Sequence, residues 1–136
     1  MGDSFTNIII MNITKLINSF PRKRATGGVS EDKIVSAENV LGLHFAQEYR
    51  EVLANYGSLF LKGEEIFGID VVDITLKAKE KNPDFPKDMY VISNTYIDGI
   101  LLVQDTTGVI YTYQPLHGIQ KVATSLSVYI SLLLKK

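Results

Sequence analysis

The chain has 136 residues, 46% hydrophobic and 21% charged, with a formal net charge of −1 and no cysteine. That length suits one domain, spanning 1–136, able to bury a core without covalent staples. The composition excludes disulfides, thiolate metal sites and thiol catalysis, and it gives no overall charge to draw the chain to nucleic acid.

No run approaches the ~20 apolar residues that span a bilayer. Residues 8–11 are apolar but few, Asp3 precedes them in place of a basic stretch, and no small-residue cleavage site follows. No signal peptide is therefore expected. The absence of cysteine fits a reducing, cytoplasmic setting.

Residues 5–20 predict a first helix, with Ile9, Ile13, Leu16, Ile17 and Phe20 as its apolar stripe. The β-branched density over 6–13 leaves a strand open there. Pro21 ends the helix, because the residue before a proline is pushed out of helical geometry. Residues 22–28 read as a polar, glycine-bearing linker. Ser30 is placed to N-cap the next helix, with Glu31 and Asp32 at the positive end of its dipole.

Two helices follow, each stopped by a glycine. In the second, Phe45, Tyr49, Val52, Leu53 and Tyr56 form one apolar face at a period of about 3.6 residues. Gln47, Glu48, Arg50, Glu51 and Asn55 lie largely off it. Gly42 and Gly57 stand where a helix end calls for a left-handed residue.

Beyond Gly57 the period shortens. Residues 58–62 and 66–69 predict short strands around Gly63-Glu64-Glu65. Residues 72–81 fit either a solvated helix or an extended edge. Residues 82–86 carry loop chemistry. Residues 89–94, 100–105 and 109–114 are β-rich runs, the last two joined by Thr106-Thr107-Gly108. Residues 126–134 close the chain as an apolar helix, with Lys135 and Lys136 at its negative end.

Helices, then an antiparallel meander, then a helix predict an α+β fold: a β-sheet meander packed against N-terminal helices and a C-terminal helix. Leu41, Phe45, Tyr49, Leu53 and Tyr56 are expected to be buried against a sheet that includes Val91, Leu101, Val103 and Ile110.

The order Glu38, Leu41-Gly42, Phe45, Tyr49, Leu53, Tyr56-Gly57 resembles the signature helices of the SUKH superfamily. Phe67-Gly68-Ile69 resembles its aromatic-glycine strand, and residues 88–92 the strand after its proline-bearing loop. Residues 99–105 and 108–111 resemble its central hairpin, and residues 124–133 its closing helix. Many members have proline where Ala46 stands and a second glycine where Ser58 stands. The likeness spans nearly the whole chain and rests on structural motifs. The superfamily includes a fungal cell-wall-synthesis regulator and many bacterial immunity proteins against secreted toxins.

The residues themselves carry little catalytic chemistry. His44 and His117 are the only histidines, one at a helix start and one in a turn, and zinc sites need three or four ligands. No Gly-x-Ser-x-Gly elbow and no Gly-x-Gly phosphate loop occurs. Tyr90, Tyr96, Tyr111 and Tyr113 lack the interleaved cations of a single-strand binding surface, since no Lys or Arg lies between Lys87 and Lys121. Tyr111 and Tyr113 share a strand face and are better explained by cross-strand packing. Catalytic residues, metals, cofactors and a small-molecule substrate are not expected.

Charge is uneven along the chain. Residues 64–105 hold nine acids and four lysines, a local net of −5 against +4 for the rest. Ordinary loop acids would suffice to explain this, and a partner-facing acidic surface is the functional alternative. Its expected members are Glu64, Glu65, Asp70, Asp73, Asp98 and Asp105, which fall at predicted turns or strand edges.

The resemblance implies a cognate protein toxin as partner, often a nuclease or another nucleic-acid-modifying domain. Such a toxin carries a cationic surface that an acidic face could occupy. Direct contact with nucleic acid or membrane is not expected. A regulatory adaptor binding signalling or cell-wall-synthesis proteins is the alternative, and a small enzyme using scattered carboxylates is the third.

Overall fold

The computed structural model describes residues 12–136. The 5–11 part of the predicted first helix, Ile9 included, lies outside the described residues. Helix α1 spans Ile13–Asn18, opened by the Asn12 carboxamide, which accepts the Thr14 N–H at 2.7 Å. Ile13, Leu16, Ile17 and the following Phe20 are buried.

The 22–28 stretch is not a free linker. Lys23–Ala25 form strand β1, antiparallel to β2 (Leu59–Leu61), which pairs in turn with β3 (Glu64–Ile66). Every residue of β1 is exposed. It has no apolar alternation to announce a strand, and its partner lies far along the chain. The β2–β3 hairpin turns at Lys62-Gly63, both at positive φ. Glu64 and Glu65 are thus strand residues rather than a turn, and the strand expected over 66–69 is displaced toward the N-terminus.

Between these strands lie α2 (Glu31–Leu41) and α3 (Gln47–Tyr56). Ser30 caps α2 by accepting the Lys33 N–H at 3.4 Å. Gly42 ends α2 in the left-handed region, at φ 68° and ψ 30°. Gly57 ends α3 differently, at φ 70° and ψ −123°, outside the left-handed helical well. The ambiguous 72–81 segment is helix α4 (Val71–Lys81).

Strands β4 (Met89–Asn94), β5 (Leu101–Asp105), β6 (Ile110–Gln114) and β7 (Gly118–Ala123) form a second antiparallel sheet in sequence order. Helix α5 (Leu126–Leu134) closes the fold, with the Ser125 hydroxyl accepting the Val128 N–H at 3.2 Å. β7 had no sequence signal, since all but its last residue is exposed. The two sheets are stitched together where the Phe67 N–H donates to the Ile92 carbonyl at 2.8 Å and the Ser93 hydroxyl to the Glu65 carbonyl at 2.6 Å.

The larger sheet is covered on both faces. Tyr90, Ile92, Leu102 and Ile110 face a core shared with Ile17, Ile34, Leu41, Phe45, Tyr49, Leu53, Leu126 and Ile130, with Tyr56 half-buried at its edge. Met89, Val91, Val103 and Tyr113 face a second core with Phe67, Ala78 of α4 and Phe85, and Leu101 and Tyr111 pack against it. Of the sheet residues expected under the α2–α3 hairpin, only Ile110 lies there. Val91, Leu101 and Val103 point to the opposite side. Successive strand residues alternate faces, and burial on both faces erases the pattern that would have told them apart.

Candidate partner-binding surface

The α2–α3 connection is positioned by tertiary bonds. Ala46 stands at the N-cap of α3 without a side-chain acceptor, so the leading N–H groups need other partners. The Phe45 N–H donates to Glu38 Oε2 at 2.8 Å, and the Ala46 N–H to the Tyr90 hydroxyl at 2.9 Å. That hydroxyl donates to Gln104 Oε1 at 2.7 Å, and Gln104 Nε2 donates to the Gly108 carbonyl at 3.0 Å. The chain of bonds ties the hairpin to the β5–β6 turn.

Glu38, only 5% exposed, also accepts from Arg50 Nε at 3.1 Å, and Arg50 reaches on to Glu31 at 2.7 Å. Burial raises the Glu38 pKa, but bonds from Arg50 and the Phe45 N–H outweigh it and hold the carboxyl below its ordinary value. The rings of Phe45, Tyr49 and Tyr90 pack around this network with centroids 4.9–5.4 Å apart. Among the described residues no buried side-chain donor or acceptor is unpaired. The network is saturated by bonds within the fold.

The six acids singled out above divide into two groups. Glu64 accepts from the Tyr129 hydroxyl at 2.5 Å and Lys136 Nζ at 3.2 Å, holding α5 to β3. Asp105 accepts the N–H groups of Thr107, Gly108 and Val109 through Oδ1 and the Tyr111 hydroxyl through Oδ2. Burial raises its pKa, but the Thr107 hydroxyl and N–H, the Val109 N–H and the Tyr111 hydroxyl bring it below the ordinary value. Both carboxylates are committed to holding the fold.

Glu65, Asp70, Asp73 and Asp98 have no side-chain hydrogen bond or ion pair among the described residues. Topology draws these four toward one end. The Thr75 hydroxyl meets the Val91 N–H, and Lys79 Nζ meets the Lys87 carbonyl, so α4 runs antiparallel to β4. Its acidic head, Asp70 and Asp73, therefore lies toward the end of β4 that leads into the Asp98 loop. The Glu65 carbonyl is bonded at Ser93, near that same end. Asp105 lies at the opposite end of β5.

The Asp98 end also exposes apolar side chains. Tyr96 is 79% exposed and Ile97 62% in the β4–β5 loop; Leu116 is 92% exposed in the β6–β7 turn. In an antiparallel meander these two connections fall at the same end, and Gln114 Nε2 donates to the Asp98 carbonyl at 3.2 Å, linking them. Tyr96, Asp98 and Leu116 have φ of 59°, 52° and 69°, a conformation that costs a non-glycine residue about 1–2 kcal/mol. The β4–β5 loop is held by its own bonds: the Asn94 carboxamide accepts the Tyr96 N–H, and the Thr95 hydroxyl donates to the Ile100 carbonyl, both at 2.7 Å. Asp84 steadies the other turn, accepting the Leu116 N–H at 3.2 Å and the Tyr113 hydroxyl at 2.6 Å. The hydroxyl bond lowers the Asp84 pKa; burial and that same bond push Tyr113 up to about 12. Composition and periodicity gave no role to Ile97 or Leu116. Their signal is an apolar residue inside turn chemistry, which becomes legible only once the strand ends are known.

The histidines lie at opposite ends of β6. His44 is exposed, with Nδ1 3.8 Å from Glu38 Oε2, near the β5–β6 turn; His117 is exposed in the β6–β7 turn. Among the described residues no three of His, Asp and Glu gather as a metal ion would require, and no helix is long and apolar enough to cross a membrane.

The family model SUKH_5, described as SMI1-KNR4 cell-wall, matches residues 7–135. No curated protein matches the chain. The chain belongs to the SUKH family, whose members include immunity proteins and SMI1-KNR4-like proteins and work through protein–protein interaction.

Proposed function

We propose that this SUKH protein is an immunity protein that binds and neutralises a cognate secreted toxin, in the cytoplasm of the cell that makes the toxin, without catalysis of its own. The observation that carries the reading is the exposed trio Tyr96, Ile97 and Leu116, two of them (Tyr96 and Leu116) at positive φ, beside Asp98, itself at positive φ and with a carboxylate unpaired among the described residues. Backbone strain of this kind persists where surrounding structure enforces it, and it clusters at binding sites. Large apolar side chains at such a site are the usual anchors of an interface, while charges around them set encounter rate and partner choice. Asp98, Asp70, Asp73 and Glu65 supply that charge. A toxin that acts on nucleic acid presents the complementary cationic surface. Glu64 and Asp105 add to the field, but their carboxylates are held by the fold.

The test uses the toxin encoded by the neighbouring gene. Tyr96→Ala with Leu116→Ala should raise Kd by about 30-fold or more, mainly through faster dissociation. Asp70→Lys, Asp73→Lys and Asp98→Lys together should slow association and flatten its salt dependence. Both variants should keep the circular dichroism spectrum of the parent. Unchanged Kd in both rejects this surface. The family's cell-wall description favours a second reading, a regulatory adaptor, and co-expression with the toxin separates the two, since only an immunity protein restores growth.

A further inference from the structure

A second surface, independent of the Asp98 end, lies at the edge of the smaller sheet. β1 pairs only with β2, so among the described residues one of its sides carries main-chain groups with no strand partner. The Thr26 N–H donates to the Ser58 carbonyl at 3.1 Å, which makes that pair hydrogen-bonded. Alternation then directs the N–H and C=O of Arg24 toward Phe60 and those of Lys23 and Ala25 to the open side.

The edge borders a groove of about 950 Å³ lined by Arg22, Lys23, Arg24 and Lys62 with Phe20 and Phe60. The Arg24 guanidinium lies over the Phe60 ring, 5.0 Å from its centroid, which fixes a charge on this surface. No acid forms an ion pair with these four cations among the described residues. Lys62 Nζ is held at 2.8 Å by the main-chain oxygen of Lys136.

We propose that the β1 edge is a docking site for an extended acidic peptide segment of a partner protein, which adds to the small sheet as a fourth strand. Main-chain bonds to Lys23 and Ala25 would hold the strand, and its carboxylates would meet Arg22, Arg24 and Lys62. The cations choose the partner by charge: they repel a basic strand and draw an acidic one. Open strand groups favour a peptide over a nucleic acid, which has no ladder of donors and acceptors at strand spacing.

The probe is a fluorescein-labelled, end-capped heptapeptide, Asp-Val-Glu-Val-Glu-Val-Asp, added to the full chain at low salt. Anisotropy should report binding, and the amide signals of Lys23 and Ala25 should shift and gain exchange protection. Arg22→Glu with Arg24→Glu, both at exposed positions, should weaken binding about tenfold. A lysine counterpart of the peptide should not bind. Three results would each overturn the proposal. One is strong protection of the Lys23 and Ala25 amides before any peptide is added. The second is no binding of the acidic peptide, which leaves the cations as mere blunting of an edge. The third is a twelve-residue oligodeoxythymidine that binds where the peptide does not.

Discussion

Glu38 is a buried carboxylate on an otherwise ordinary amphipathic helix, and its partners explain it. It accepts the Phe45 N–H, which is buried, and the guanidinium of Arg50, which reaches on to exposed Glu31. Because its folded pKa lies below the ordinary value of 4.5, the charged form favours the folded state. That stabilisation is fully present above the ordinary value and is lost as pH falls through the lower folded one. Glu38→Gln should therefore cost roughly 1–3 kcal/mol at neutral pH. The gap from the parent should shrink as the pH is taken below about 4.5. Urea denaturation at a series of pH values measures both, and a gap that stays constant through the acid range would refute the assignment. At this scale the sequence was only partly legible. It identified Glu38 as part of a pattern without its partners. It put Asp105 and Asp98 in one set, although one carboxylate caps a turn and the other has no partner among the described residues, because residue type alone does not say whether a charge already has a donor.

Among the elements, the two glycine stops look alike in sequence and differ in the fold. Gly42 is left-handed with open space where a Cβ would sit. Gly57 also has positive φ, and its Cβ would run into the carbonyl oxygen of Gly27 and lie 2.7 Å from the Thr26 hydroxyl oxygen. Gly42→Ala should cost about 1–2 kcal/mol from backbone strain alone. Gly57→Ala should cost clearly more, since it also forces the Thr26-Gly27 segment that leaves β1 away from α3. Thermal denaturation of both variants ranks them, and equal losses would count against the close approach. Elements with a strong local signal were legible: α3 falls where its apolar period places it, and β4 and α5 where continuous β-rich and apolar runs place them. β1 and β7 were not, because an exposed edge strand is defined by its neighbour's main chain and needs no apolar face. The β2–β3 register slipped for a related reason: the Lys62-Gly63 turn puts an acid pair inside a strand, where half-buried carboxylates look like turn residues.

For the molecule as a whole, burial on both faces of one sheet has a thermodynamic consequence. Tyr90 and Ile92 point into the helical core, while Met89 and Val91 point into the smaller one. The two cores thus share the backbone of β4 and its ladder with β5. Neither can open without exposing apolar side chains of the same strands, so we propose that 1–136 unfolds as one cooperative unit. Leu53→Ala, fully buried in the helical core, should cost about 2–5 kcal/mol. Phe85→Ala removes a ring that meets Tyr113 edge-on at 5.1 Å in the other core, and should cost about 3–5 kcal/mol. Each variant should lower a single midpoint, seen identically by far-ultraviolet circular dichroism for the helices and by tyrosine fluorescence for the packed aromatics. If Phe85→Ala instead split the curve, with the smaller core melting first while α2 and α3 persisted, the shared strands would not be coupling the two faces.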